Sequence, residues 1–190
     1  YLGRGRGHRA RGDMQAALKD WARALRLDPD LLLGHYNSAA ALYELGQTDK
    51  AIAELTAALR GNPSFPLAFH LLGIIFAERS DSDRAIKAYS KAIRLHPDFS
   101  SAYMGRGLVY LKEGKKTLAW KDIDEAVRTG GRDYAAFFNR GEARYRSGEK
   151  AKALEDFRMA LALEIEHPPA SLAMGRRFDE EKQWADAAKM

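Results

Sequence analysis

A single alanine column constrains the fold of this chain more than any other feature. Alanine recurs every 34 residues along the whole chain, at Ala17, Ala51, Ala85, Ala119, Ala153 and Ala187. Four further columns keep the same period and the same phase. Chance does not hold five columns in register over this length, so the chain is a tandem array of one supersecondary unit.

The other columns are small, glycine-rich or bulky. They read Ala24, Ala58, Ala92, Ala126, Ala160; Gly5, Ala39, Gly73, Gly107, Gly141, Gly175; Gly12, Gly46, Ser80, Gly114, Gly148; and Trp21, Leu55, Tyr89, Ile123, Phe157. Proline closes the first three units at Pro29, Pro63 and Pro97. Columns of small residues are expected where two helices cross closely, because bulky side chains would force the helices apart.

Each unit is predicted to contain two helices. The stretch between Gly12 and Pro29 is "DMQAALKDWARALRLD", and its apolar residues recur at three- and four-residue steps, as in an amphipathic helix. The stretches before the Gly12 column follow the same pattern. Glycine tolerates the left-handed conformation that caps a helix, and proline ends one. A unit is therefore helix A, a tight turn, helix B and a second turn.

The third unit carries the most complete motif. "FHLLGIIF" is followed by Ala85, Tyr89, Ala92 and Pro97. This order of aromatic, Leu-Gly, alanine and proline positions within 34 residues resembles the tetratricopeptide repeat, and the resemblance extends over the whole chain. It implies an all-α fold, a right-handed superhelical solenoid of antiparallel helix pairs.

We expect one solenoid over residues 1–190. Its units are about 1–31, 32–65, 66–99, 100–133 and 134–167, with a partial sixth at 168–190. The opening stretch, "YLGRGRGHRARGD", then supplies helix A of the first unit rather than a disordered arginine-glycine arm. Because the chain begins at Tyr1 without an initiator methionine, we expect it to be an excerpt of a longer protein.

The composition argues against several classes of function. Cysteine is absent, which excludes disulfides, thiolate metal sites and a cysteine nucleophile. The five histidines never pair at metal-ligand spacing, and no serine or aspartate stands beside one as in a catalytic triad. "GKKT" at 114–117 lacks the earlier glycine of a phosphate loop. We therefore predict no enzyme, no cofactor and no metal.

We find no targeting signal in the sequence. No stretch is apolar for the length that a membrane span needs, and no signal peptide is visible. The compartment stays open, with the cytoplasm as the default assignment.

The resemblance implies that helix A lines the concave inner wall of the superhelix. The predicted peptide-binding residues are Tyr36, Asn37, Tyr43, His70, Ile74, Met104, Leu108, Lys112, Phe138, Asn139, Tyr145 and Arg146. The last unit would add Leu172, Arg176 and Asp179. This wall is predicted to be apolar and aromatic with few charges, and such a surface commonly marks a binding site. The leading hypothesis is a scaffold or adaptor that binds a peptide or helix of another protein.

Two alternatives remain open at this stage. A net charge of +5 and a pI near 9.4 permit nucleic-acid binding, although no continuous basic stripe is present. Exposed repeat ends could drive self-association. Binding of acidic chaperone tails is not expected, because the family's carboxylate clamp would require lysine and arginine around Asn37 or Asn139, and neither frame supplies them.

A pattern of charges predicts structural ion pairs. Arginine stands in one helix A column and aspartate follows sixteen residues later in helix B, at Arg4 and Asp20, Arg106 and Asp122, and Arg140 and Asp156. Where the arginine column holds Leu72, the later residue is Ala88. Where it holds Ser38, Glu54 follows, a partial exception. Charges that appear and vanish together are expected to meet across the crossing of helices A and B.

Overall fold

The computed structural model describes residues 1–131 and 133–164, and these ranges are helical apart from short turns. The helices are α1 (Leu2–Ala10), α2 (Met14–Leu27), α3 (Leu32–Glu44), α4 (Thr48–Gly61), α5 (Pro66–Glu78), α6 (Ser82–Leu95), α7 (Ser100–Lys112), α8 (Lys116–Gly130), α9 (Tyr134–Arg146) and α10 (Lys150–Glu164). No strand occurs in them, which confirms the all-α solenoid. None of these helices is both long and apolar enough to cross a membrane. The predicted partial unit at 168–190 lies outside the described residues.

The turn from helix A to helix B is the same in all five pairs. Four turn residues are glycines with φ between 71° and 83°, at Gly12, Gly46, Gly114 and Gly148. The third turn instead uses Ser80, at φ 60°. In each turn the backbone N–H of the residue after the glycine or serine donates a hydrogen bond to the carbonyl five residues earlier. The Gln47 N–H, for example, donates to the Leu42 carbonyl at 2.8 Å. This bond satisfies a helix-end carbonyl and fixes the sharp reversal between the helices.

A constant offset of sixteen residues aligns helices A and B of a pair. Gly73 of α5 lies against the ring of Tyr89 in α6, where a Cβ would come within 2.6 Å of Tyr89 Cδ1. Equivalent contacts pair the other glycines with bulky residues: Gly5 with Trp21, Gly107 with Ile123 and Gly141 with Phe157. The glycine column is thus small because the bulky column of the same pair packs directly onto it.

The contacts between pairs give the array its curvature. Successive A helices touch one another, α1 with α3, α3 with α5, α5 with α7 and α7 with α9. In the described part of the chain the B helices contact A helices but not one another. The A helices are therefore drawn together on the inside of the curve, and the B helices form the outer surface.

The apolar core is thickest in the middle of the array. The largest cluster joins α3 to α6 and contains Leu42, Leu55, Leu71, Leu72 and Ile75, all buried. The cluster around Trp21 at the N-terminal end is smaller.

The opening stretch folds as α1, a repeat helix rather than an extended arm. Its Gly5 is buried against Trp21, and Trp21 Nε1 donates a hydrogen bond to the Leu2 carbonyl at 3.2 Å. Trp21 therefore packs α1 onto α2, and the buried cluster to which it belongs includes Ala41 of the second pair.

Candidate partner-binding groove

Two adjoining depressions open on the inner wall. The larger one, called here the C-terminal groove, has a volume of about 860 Å³. It is lined by Leu108, Leu111, Lys112, Lys116, Phe138, Asn139, Glu142, Ala143, Arg146 and Ser147. The smaller one, the central pocket, has a volume of about 260 Å³ and lies between α5, α7 and α9. Leu108 and Asn139 line both, so the two depressions form one continuous surface.

All twelve predicted binding residues lie on the A helices α3, α5, α7 and α9. Eight of them line the two depressions: His70, Ile74, Met104, Leu108, Lys112, Phe138, Asn139 and Arg146. The other four, Tyr36, Asn37, Tyr43 and Tyr145, do not. Leu172, Arg176 and Asp179 lie outside the described residues. The two depressions thus contain predicted residues of α5, α7 and α9 and none of those on α3.

The apolar residues of the wall differ in how much surface they present. Leu108 is 41% exposed and lines both depressions. Phe138 is half-buried, with its ring centroid 5.7 Å from that of Phe157. Met104 is only 5% exposed and belongs to a buried cluster with Ile123. Leu108 and Phe138 can therefore contact a ligand directly, whereas Met104 mainly supports the wall.

Two side chains with rings, His70 and Tyr89, line the central pocket. The His70 ring lies 4.8 Å from the ring of Phe99 and 5.8 Å from that of Tyr89. Burial lowers the pKa of His70, and a hydrogen bond with the Ser101 backbone opposes that shift. Tyr89 lies between Gly73 and Gly105, and burial raises its pKa. Sequence reasoning assigned Tyr89 to the core column alone and missed that it also lines this pocket.

Charged side chains line part of the C-terminal groove. Lys112, Lys116 and Arg146 line it together with Glu142. Lys112 and Arg146 were among the predicted wall residues, and the structure adds Lys116 to them. Lys116 was missed because it begins helix α8, a B helix, and reaches the groove only through the turn after α7. The run of lysines after Gly114 was the signal that could have indicated it.

One column of the inner wall changes from negatively to positively charged residues along the array. It contains the last residue of each A helix from α3 to α9, namely Glu44, Glu78, Lys112 and Arg146. Both carboxylates bind groups of the chain itself: Arg9 donates to Glu44, and the Tyr43 hydroxyl donates to Glu78. Burial and the bond to Glu78 together raise the pKa of Tyr43 to about 12.

Each arginine of the predicted pairs contacts its aspartate. Arg106 donates through Nε and Nη2 to both oxygens of Asp122, at 2.6 and 2.9 Å. Arg140 Nη2 lies 2.7 Å from Asp156 Oδ1. In the first pair Arg4 Nε lies 2.6 Å from Asp20 Oδ2. The aspartates are buried, and the arginines become less exposed from the first pair to the later ones.

These arginines also reach the preceding unit, which the sequence pattern did not indicate. Arg106 Nη1 donates to Ser90 Oγ at 2.8 Å, and Arg140 Nη1 donates to Asp124 Oδ1 at 3.0 Å. Each acceptor precedes its arginine by sixteen residues. One guanidinium thus joins the B helices of two neighbouring units.

The exception at Glu54 has a structural explanation. His35 Nδ1 lies 2.7 Å from Glu54 Oε2, and His35 Nε2 lies 2.8 Å from the Pro29 carbonyl oxygen. A histidine one turn before Ser38 therefore takes the place that arginine holds in the other units. In the ranges that the structure describes, no three His, Asp or Glu side chains cluster as a metal site.

Sequence comparison finds the repeat along the chain. A family model described as "Tetratricopeptide repeat" matches residues 36–86, 70–131 and 121–170, and one described as "TPR repeat" matches residues 5–46. None of the curated proteins matches.

Solved structures share the fold at low sequence identity. TTC0263, a thermophilic TPR protein of Thermus thermophilus, is 21% identical with a TM-score of 0.78, covering 94% of this chain and 95% of that one. PilF of Pseudomonas aeruginosa is 19% identical with a TM-score of 0.75, covering 98% and 86%. YrrB is 20% identical with a TM-score of 0.61, covering 91% and 89%.

Proposed function

The chain belongs to the tetratricopeptide repeat family, a fold that generally serves as a non-catalytic scaffold for protein–protein interaction, and we propose from this that it holds a segment of another protein on its concave wall. The proposal assigns no catalytic role to any residue. The protein would act by bringing its partner to a defined place on a rigid array.

The continuous groove on the A helices is the observation that carries this proposal. Leu108 keeps 41% of its surface exposed although it lies inside the curve, with Phe138 beside it on the next A helix. Exposed apolar side chains within a concave surface are costly in water and gain free energy when a ligand covers them. A peptide or a helix fits such a groove better than a small molecule does, because the depression is open along the wall.

The likeness to YrrB is consistent with the proposal. YrrB is described as a TPR protein with an unusual peptide-binding site. At 20% identity the likeness shows a shared fold, so the residues that would bind a partner here are argued from this chain alone.

The test compares two matched substitutions in the full-length protein. Leu108→Glu places a charge in the groove, and Leu118→Glu places the same charge on α8, where Leu118 is 48% exposed and does not line the groove. Partners captured by the wild type would be identified by mass spectrometry and their affinities measured by calorimetry. We expect Leu108→Glu to weaken binding by more than about 2 kcal/mol, as at an interface anchor. Leu118→Glu should leave the affinity unchanged.

Equal affinity of a folded Leu108→Glu variant would reject the concave site. Binding that nuclease treatment abolishes would instead favour the nucleic-acid alternative. Circular dichroism and thermal melting of both variants separate loss of binding from loss of fold.

A further inference from the structure

We propose that the segment held in the C-terminal groove is acidic, with apolar anchors on the groove floor and side-chain carboxylates paired to Lys112, Lys116 and Arg146. The inference deepens the proposed function and rests on it. Its occupant is a segment of another protein.

The groove combines an apolar floor with a cationic rim. Leu108, Leu111 and Phe138 line the floor, while the three cations come from three different helices, α7, α8 and α9. Among the described residues that line this groove, Glu142 is the only one with a carboxylate. A ligand on this floor therefore meets a surplus of positive charge, which acidic side chains complement.

The cations are not neutralised within the described ranges. Lys112 Nζ donates to the neutral hydroxyl of Ser80 at 2.9 Å. Arg146 lies 3.7 Å from Glu142 and keeps 78% of its side chain exposed, so this pair is weak. The Lys116 backbone N–H donates to the Gly114 carbonyl, but its side-chain ammonium group makes no hydrogen bond or ion pair in the part of the chain that the structure describes. Charge therefore remains available for a partner.

The two halves of the wall provide an internal contrast. In the N-terminal half the same column holds Glu44 and Glu78, and each carboxylate binds a group of the chain itself, Arg9 and Tyr43 respectively. In the C-terminal half the column holds Lys112 and Arg146, which form no close ion pair with a carboxylate of another helix in the described residues. The positive half is therefore the one left for an external carboxylate.

The helix dipole accounts for only part of this arrangement. Cations at the C-terminal end of a helix are favourable, which fits Lys112 and Arg146 as structural residues. Lys116 is the first residue of α8, where the dipole disfavours a cation. Its place on the groove rim thus lacks an explanation in the stability of its own helix.

The inferred contact differs from the family's carboxylate clamp. None of the three cations occupies a position around Asn37 or Asn139 at which the clamp would need lysine or arginine. The groove would recognise side-chain carboxylates along an apolar segment and not a chain terminus. Amidation of a ligand's C-terminus should therefore leave its affinity unchanged.

The test begins with selection from a random twelve-residue peptide phage library on the immobilised full-length protein. We expect enriched peptides to combine aspartate or glutamate with leucine or an aromatic residue. The best peptide would then be synthesised, labelled with fluorescein and titrated by anisotropy. Raising the salt concentration should weaken its binding, because rim charges are partly screened.

Adjacent lysines supply a matched pair of variants. Lys116→Glu should weaken the peptide at least tenfold, whereas Lys115→Glu should change its affinity less than twofold, because Lys115 does not line the groove. The double variant Lys112→Ala, Arg146→Ala should also lose at least tenfold. All three variants should melt within a few degrees of the wild type.

The outcomes separate this inference from the proposed function. If the enriched peptides are neutral or basic and Leu108→Glu abolishes their binding, the acidic specificity is overturned and the groove remains the binding site. Peptides insensitive to Leu108→Glu would reject the groove itself, and absence of enrichment would reject both. An oligonucleotide, or a second copy of the chain, that displaces the peptide with higher affinity would overturn the assignment to a segment of another protein.

Discussion

Ser80 adopts a backbone conformation that the other four turns give to glycine. Its φ of 60° lies in the left-handed region, which costs an L-residue roughly 1 kcal/mol. We expect Ser80→Gly to raise the free energy of unfolding by about 0.5–1 kcal/mol, after loss of the hydrogen bond from Lys112. Urea denaturation of the purified protein measures this change.

The equivalent turn at Gly46 is the control for this prediction. Gly46 has φ 72°, so Gly46→Ser should lower the free energy of unfolding by about 1 kcal/mol. If both substitutions destabilise the protein equally, backbone strain is not the cause.

His70 predicts a pH-dependent contribution to stability. Burial holds its pKa below the ordinary value of about 6.5, so the folded state favours the neutral ring. The unfolded chain binds the proton first as pH falls, so this stability is complete above pH 6.5 and is lost as pH decreases through the lowered pKa. We expect His70→Phe to lose less thermal stability than the wild type between pH 7 and pH 5.

An NMR titration of the His70 ring gives the direct check. Its midpoint should fall below 6.5 in the folded protein. A midpoint above 6.5, or the same pH dependence of melting in His70→Phe, would contradict the argument.

At the scale of the helix pair, the sixteen-residue offset explains two features together. It sets the glycine column against the bulky column, and it sets each arginine one residue before that glycine beside an aspartate. Both contacts repeat because the crossing of helices A and B repeats. The guanidinium is close to a carboxylate wherever the sequence places both.

The pair of Arg106 and Asp122 offers the clearest measurement of this contact. The Asp156 carboxylate also accepts a hydrogen bond from Arg144, so it keeps a partner after Arg140 is removed. The Asp122 carboxylate accepts side-chain hydrogen bonds from Arg106 alone among the described residues. We expect Arg106→Ala to cost about 2–3 kcal/mol because it leaves a buried carboxylate without its partner. A double-mutant cycle with Asp122→Ala should give a clear coupling energy.

The third unit provides the natural replacement for this pair. It holds Leu72 and Ala88 at the two positions, and both are buried. Arg106→Leu combined with Asp122→Ala should therefore be more stable than Arg106→Ala, because apolar packing replaces a desolvated pair at little net cost. Zero coupling in the cycle would contradict the structural role of the pair.

Across the whole molecule, the core is unequal and stability should follow it. In a solenoid each unit contacts only its neighbours, so local stability reflects the local core. The largest cluster covers α3 to α6, whereas α1 contains three glycines and packs mainly through Trp21. We expect amide hydrogen exchange, followed by mass spectrometry, to be slowest in α3 to α6 and fastest in α1.

Trp21→Ala tests the cause of that gradient. It should speed exchange in α1 and α2 while α5 and α6 keep their protection, because the packing that the Trp21 ring provides is confined to the first pairs. Uniform exchange along the array, or slower exchange in α1 than in α5, would show that the core does not set local stability.

Most of the fold could be predicted from sequence because it depends on relations that repeat. The columns indicated helices, turns and the small face of the crossing, and the charge pattern indicated which residues meet sixteen positions apart. The candidate wall was predictable to the level of the helix, since all twelve residues lie on A helices. Which of them share a depression was not, since that depends on how neighbouring units tilt.

The sequence by itself therefore determined the repeated unit, its helix pair and the contacts that recur between helices A and B at the sixteen-residue offset. Only the tertiary structure brought Lys116 from a B helix into the groove, placed His35 on Glu54, and joined Arg106 to Ser90 of the preceding unit. The physical reason is that contacts within a unit recur with the period and leave a pattern along the chain. The contacts of Lys116 and His35 occur once and depend on single side chains, so they leave no periodic signal. The bonds that Arg106 and Arg140 make to the preceding unit share one offset, but their acceptors are a serine and an aspartate, so no column of one residue type marks them.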